Sequence, residues 1–439
     1  MLKPLKILIF GVFLMSSIVN AKSASVLPKY ESKILENGLQ VVVIPLKNNS
    51  KVIETNVFYK VGSRNETMGK SGMAHMLEHL NFKSTKNLKA GEFDEIVKKM
   101  GGSDNAATSF DYTRYYIRSS KENLDTSLKL FAELMENLDF KDSEFASERD
   151  VVAQERLWRT DNSPSGYLFF RFFNTAYTYH PYHWTPIGFM NDIQSWEVAD
   201  IRAFHSTYYQ PQNAIIVVAG DVDSKDVFSG AQKHFAHIKN RGEIPPVKMQ
   251  EPKQDGAREG IIKKETGGIE WVMMGFKTSK FNDKDQIALE SLAEILAGGK
   301  SAILPALLTD KLKLASSVTA YNMDLVDSGI FIIIATGNPG VKADSLKHEI
   351  IKELERLKKT PIKQEALDKV KINTRASFIY SLESASSVAG LFGSYLVRGD
   401  IKPLLEYEKN LDSLDSTTIL ETAKKYFNED NSTTLFMRK

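Results

Sequence analysis

His75-Met76-Leu77-Glu78-His79 is where this chain's chemistry is concentrated. Residues four apart on a helix share a face, so His75 and His79 can offer two imidazoles to one metal ion. Glu78 borders the same face. Beside a metal, without ligating it, a carboxylate can take a proton from bound water. A catalytic zinc needs a third protein ligand and one open position. The segment Asp142–Trp158 supplies candidates. It reads as an amphipathic helix with Val151, Val152 and Leu157 on its apolar side, and Glu148 and Glu155 fall two turns apart on one face. One of the two can ligate while the other orients a histidine ring. Alone, each motif has a bland reading, a solvated histidine pair and a solvated acidic face. Together they make a metal site.

The order H-x-x-E-H, inverse to the commoner H-E-x-x-H, is that of the inverzincins. Other segments follow in sequence. They are Glu36–Val43, Val61–Glu66, Gly72–His79, Asn81–Thr85, Gly101-Gly102, Asn105–Thr108, Asp111–Tyr115, His180-Pro181-Tyr182 and Tyr209–Asp221. Glu155 lies 76 residues after His79. In this ordered set the chain resembles a pitrilysin/insulinase-type zinc metallopeptidase, of the branch containing the mitochondrial processing peptidases and two-domain bacterial relatives. The resemblance covers essentially all of the chain after its N-terminal segment. It implies one Zn2+ held by His75, His79 and Glu155, with Glu78 as the base that activates water and Glu148 as a supporting carboxylate. It also implies that Asn105, Ala106, Ala107 and Thr108, a strand of small residues, receive an extended peptide substrate along a sheet edge. Phe110, Tyr112, Tyr115 and Trp158 could line side-chain pockets, although aromatics at such spacing usually belong to a core. His180 and His183 are read as packing residues rather than a second metal site.

These residues must be positioned by a substantial fold. With 439 residues, 42% of them hydrophobic, the chain can bury an ample core in two or more domains. Lys3 and Lys6, the apolar run Ile7–Val19 and the small residues up to Ala21 read as a signal peptide, residues 1–21. Its removal takes away two lysines and no acid, so the formal charge falls from +2 to 0. That balance gives no reason to expect nucleic-acid binding. No other run is long enough to span a membrane, so stable insertion after cleavage is not expected. There is no cysteine, hence no disulfide framework and no thiolate ligand. A periplasmic or secreted location is the simplest expectation.

The elements recur. Thr55–Lys60 and Trp271–Lys277 read as matching strands, each followed by a helix. Tyr115–Arg118 and Ile330–Ala335 match next, and each half closes with a helix and a last strand. The expected fold class is α+β. It comprises two homologous domains, each a mostly antiparallel sheet packed with helices, which together form a clam-like half-chamber. The expected divisions are an N-terminal metal-binding catalytic domain at 22–243, a polar linker at 244–259 and a C-terminal domain at 260–439. The helix after Trp271–Lys277 has no histidine, so the second domain carries no metal site. Active relatives commonly place an Arg and a Tyr, seven apart, after a glycine-rich turn here matched by Gly298–Ser301. Here Thr309 and Ser316 stand at those places, and neither substitutes for its counterpart. The resemblance therefore points to a zinc-free homologous partner subunit in a heterodimer. The alternative is a non-catalytic scaffold or peptide-binding subunit that retains its metal site.

Overall fold

Apolar runs and alternating segments build two sheets in a computed structural model that describes residues 25–439. The signal-peptide reading at residues 1–21 lies outside the described residues. The strands of the first sheet are β1 (Glu31–Ile34), β2 (Gln40–Pro45), β3 (Val52–Tyr59), β4 (Ser103–Thr108), β5 (Thr113–Ser120) and β6 (Ala214–Gly220). Those of the second are β7 (Arg258–Lys263), β8 (Trp271–Lys277), β9 (Ala315–Met323), β10 (Ile330–Gly337) and β11 (Ser432–Arg438). Eight helices matter most here. The first half contributes α1 (Met73–Leu80), α2 (Leu124–Asn137), α3 (Asp142–Arg156) and α4 (Pro164–Ala176). The second contributes α5 (Gln286–Ala297), α6 (Ala343–Lys359), α7 (Gln364–Tyr380) and α8 (Ala385–Val397).

The first sheet runs β1-β2-β6-β3-β5-β4 and the second β7-β11-β8-β10-β9. Apart from the extra β1, the orders correspond strand for strand. Each sheet has one parallel pair, β2 with β6 and β7 with β11, and is otherwise antiparallel. The α+β class with two homologous, mostly antiparallel halves is thus realised. Central β6 (Ala-Ile-Ile-Val-Val-Ala-Gly) is buried along its whole length, because helices cover both faces of the sheet. Edge strand β4 alternates exposed and half-buried residues and, among the described residues, pairs as a strand with β5 alone.

Each half lends a helix to the other half's sheet. Leu168, Phe172 and Phe173 of α4 pack on Met273, Ile332, Leu435 and Met437 of the second sheet. Val388, Ala389 and Phe392 of α8 pack on Val42, Phe58, Ile215 and Val217 of the first. The close approach is made by a ring seated over a glycine, with the two roles exchanged. A Cβ on Gly275 of β8 would collide with the Phe172 ring, and one on Gly393 of α8 would collide with the Phe58 ring. Phe172 and Gly393 are each the ninth residue of their helix. Phe58 and Gly275 each lie opposite the second residue of the neighbouring strand, Ile215 and Thr433.

Polar contacts pin the same junction. The Arg64 guanidinium donates to Asp327 at 2.9 and 2.7 Å, and His180 Nε2 lies 2.9 Å from the same carboxylate oxygen. Glu251, in the segment joining the halves, accepts from the Thr178, Tyr179 and His180 amides and from Lys277 Nζ at 2.8 Å. Burial alone would raise its carboxyl; these donors outweigh that and hold it at about 2. His180 is thus engaged in joining the halves, and His183 Nδ1 sits 2.6 Å from the Tyr177 carbonyl. Among the described residues no helix is long and apolar enough to cross a membrane.

Candidate metal centre

Helix α1 is held from three sides. Met73, Ala74, Met76, Leu77 and Leu80 are buried beneath it, which turns His75, Glu78 and His79 toward the accessible face. Its N-cap, Gly72, has φ +89° and lies against the Trp196 ring and the Ile187 carbonyl, so a side chain would be both strained and crowded. Glu66 closes the helix N-terminus. Its carboxylate accepts from the Gly72 and Ala74 amides and from the Trp184 indole, each at 2.8 Å. Burial raises the Glu66 carboxyl to about 8 against the pull of these three donors. Sequence reading quoted Glu66 without giving it a role. An acid several residues ahead of a glycine-capped helix was the available signal.

Helix α3 packs alongside α1 through Phe145 and Val152. The expected apolar side is corrected here, since Val151 and Leu157 are 46% and 36% exposed and only Val152 is buried. Adjacent helical positions are about 100° apart, and the arc of α3 that meets α1 takes in Val152 and leaves Val151 outside it. The inward face is shared instead by Phe145, Glu148, Val152 and Arg156. The regular helix also ends at Arg156, short of Trp158, and widens into a π-helical turn at Leu157–Asp161. Arg156 anchors the change by bonding Asp161 and the Gly188 carbonyl and covering the Phe170 ring.

These two helices bring His75, His79 and Glu155 together, with one potential ligand atom from each lying within 4.8 Å of the others. Glu155 Oε2 is 3.3 Å from His79 Nε2 and 3.6 Å from His75 Nε2. Tetrahedral bonds of about 2.0–2.1 Å would separate ligand atoms by about 3.3–3.4 Å; the donor set matches zinc in kind, and the two glutamate–histidine separations are close to that spacing. Glu148 stands on the other side of the His79 ring, its Oε2 3.2 Å from Nδ1, while its Oε1 meets Lys83 Nζ at 2.6 Å. The two glutamates, indistinguishable by helical spacing, are separated by this packing. Only Glu155 reaches both histidines.

The electrostatics favour a cation at this point. Burial alone would lower the His79 pKa, but hydrogen bonds to Glu148 and Glu155 outweigh it and raise the ring to about 9. His75 is pushed down to about 4 by burial and by neighbouring His79, and its Nδ1 is buried without a hydrogen-bond partner. The bond to His79 holds Glu155 below the usual carboxylate range. In Glu148, bonds from His79 and Lys83 overcome the opposing effect of burial. Glu78 goes the other way, raised by burial although Thr108 Oγ1 donates to its Oε2 at 2.5 Å.

That bond gives Thr108 a place at the centre itself. Asn105 and Ala107 are exposed along β4, and Ala106 packs toward the core. Of the aromatic candidates, Phe110 and Tyr115 are core residues, Tyr112 is half-buried, and Trp158 is 72% exposed beside the ligand helix. In the second half, Thr309 lies half-buried in the π-helical turn Pro305–Lys311. Ser316 is exposed and donates to the Thr336 carbonyl at 3.3 Å. Two further cations at the centre, Lys83 and Arg159, were not singled out from the sequence.

The insulinase (peptidase family M16) profile matches residues 41–183, and the peptidase M16 inactive domain profile matches residues 195–374. A zinc protease, PqqE, of Helicobacter pylori is 57% identical over 430 residues, covering 98% of this chain and 97% of that protein. The chain belongs to the M16 peptidase family. A crystal structure of a protease from Helicobacter pylori has the same fold, with 57% identity and a TM-score of 0.92 over 94% of this chain and all of that one. A probable mitochondrial-processing peptidase subunit beta of Arabidopsis thaliana is 24% identical over 91% of this M16 chain and 76% of its own length. The candidate metal centre lies within the insulinase match. The inactive-domain match begins in the last part of the first half and continues into the second, whose helix α5 has no histidine.

Proposed function

We propose that this chain is a zinc-dependent endopeptidase that hydrolyses extended peptides, as the metal-bearing subunit of a heterodimer. The observation that carries the reading is the convergence of His75, His79 and Glu155 with Glu78 beside them. Zinc held by those three residues would supply a Lewis acid and an acidified water. Glu78 is the proton carrier, and its raised pKa suits a group that takes a proton from water and returns it to the leaving amine. Thr108 holds its Oε2 in place. Glu148 keeps His79 Nδ1 engaged, which presents Nε2 to the metal. Edge strand β4, one residue of which already touches the base, lets a substrate backbone pair beside the reacting atoms.

The partner reading rests on Thr309 and Ser316, which bring neither a cation nor a phenol, and on the likeness to a protein named as a subunit. The N-terminal lysines and apolar run support export to the periplasm. The same Thr309 and Ser316 favour one second reading, a peptide-binding subunit without turnover. Peptide cleavage by the wild type with a co-expressed homologous partner, set against Glu78→Gln, tests both. Loss of about 10²–10⁴ in turnover with zinc retained supports the peptidase. Zinc bound without cleavage in any combination supports the scaffold, and full activity of Glu78→Gln refutes the proposed base.

A further inference from the structure

Two of the three glutamates of α3, Glu148 and Glu155, have divided carboxylates. In Glu148, Oε2 faces His79 Nδ1 and Oε1 faces Lys83 Nζ. In Glu155, Oε2 faces the two histidine Nε2 atoms, and Oε1 lies 3.0 Å from the Arg159 guanidinium. Arg159 reaches it as the residue four positions on, within the turn where the helix passes into the π-helical segment Leu157–Asp161. Single-turn π segments are frequent at functional sites. The arginine side chain is 66% exposed, so the pair adds little to folding stability. Its effect on the carboxylate is geometric: while Oε1 is occupied by the guanidinium, only Oε2 is free to ligate.

We infer that Arg159 is a positioning residue that keeps Glu155 a one-oxygen ligand and so keeps the fourth position of the zinc open for water. The inference rests on the zinc reading above and deepens it. A catalytic zinc bound by three protein atoms has one vacancy, which a second carboxylate oxygen would fill or crowd. Glu155 without its clamp has that oxygen available. Lys83 plays the corresponding part at Glu148, where the constrained oxygen steadies a ring rather than a metal contact.

The test uses the full mature chain, with its partner where turnover requires one. Wild type, Arg159→Ala and Arg159→Lys are compared. Zinc affinity is measured by chelator competition, the visible spectrum with Co2+ in place of zinc, and kcat and KM on a peptide. Arg159→Ala is expected to bind zinc at least as tightly as wild type and to show weaker cobalt absorption, as coordination rises above four. Its kcat should fall about tenfold with KM little changed. Arg159→Lys keeps a cation within reach of Oε1 and should restore the wild-type spectrum. An alanine variant with unchanged spectrum and kcat overturns the inference, as does a lysine variant that behaves like alanine. Lost zinc affinity also overturns it, since Arg159 would then be holding the ligand in place rather than limiting its contacts. Wild type that binds no zinc refutes the zinc reading itself.

Discussion

Zinc binding at neutral pH should release one proton from the protein ligands, and that proton should come from His79, any proton lost by the zinc-bound water adding to it. In the ion-free chain the His79 ring is flanked by Glu148 at 3.2 Å and Glu155 at 3.3 Å, which raise it to about 9. His75 lies near 4, so it is already neutral. Both glutamates sit below their ordinary values and are ionised. Metal must therefore displace a single proton between about pH 5 and 9. The His79 contribution alone makes apparent affinity climb about tenfold per pH unit to a plateau near 9, and ionisation of the bound water adds to the climb. Two units separate pH 7 from that plateau, an affinity difference of about 100-fold, or roughly 3 kcal/mol. The sign for folding of the metal-free chain is opposite. A histidine pKa raised on folding contributes stability that is fully present below about 6.5 and lost as pH rises through about 9. Metal-free protein should thus lose stability across that window while the zinc-bound form gains relative to it. The assay is calorimetric titration of zinc in buffers of differing ionisation enthalpy, with chelator competition from pH 6 to 10. A proton release near zero at pH 7, or affinity flat from pH 7 to 9, would refute the arrangement of charges described.

Two further outcomes follow from other contacts. Glu148→Ala should weaken zinc binding by about 10–100-fold, because His79 loses its Nδ1 partner and Lys83 loses its carboxylate; chelator competition measures this. Gly393→Val should destabilise the chain by about 1–3 kcal/mol, since its side chain meets the Phe58 ring where α8 crosses the first sheet. A urea midpoint unchanged from wild type would show that the helix exchange tolerates added volume.

The sequence by itself pointed to the candidate ligand residue types and to the repeat. Four-residue spacing on a helix fixes a shared face, so His75 and His79 were bound to converge. Strands of like pattern in like order were bound to build like sheets. Edge strand β4 was legible from its small residues, because local spacing carries that information. Tertiary packing decided the rest. Glu148 and Glu155 lie on one helical face, and only the placement of α3 against α1 sets one at both histidines and the other behind His79. The burial of Val152 but not Val151 was settled the same way, by which side of α3 met α1. Glu66, Thr108 and Lys83 reach the centre or its helix across folds and turns that no local period encodes, whereas Arg159 meets Glu155 at the local four-residue spacing. The crossing of α4 and α8 onto opposite sheets, each with one ring over one glycine, likewise depends on two surfaces distant in sequence meeting in space.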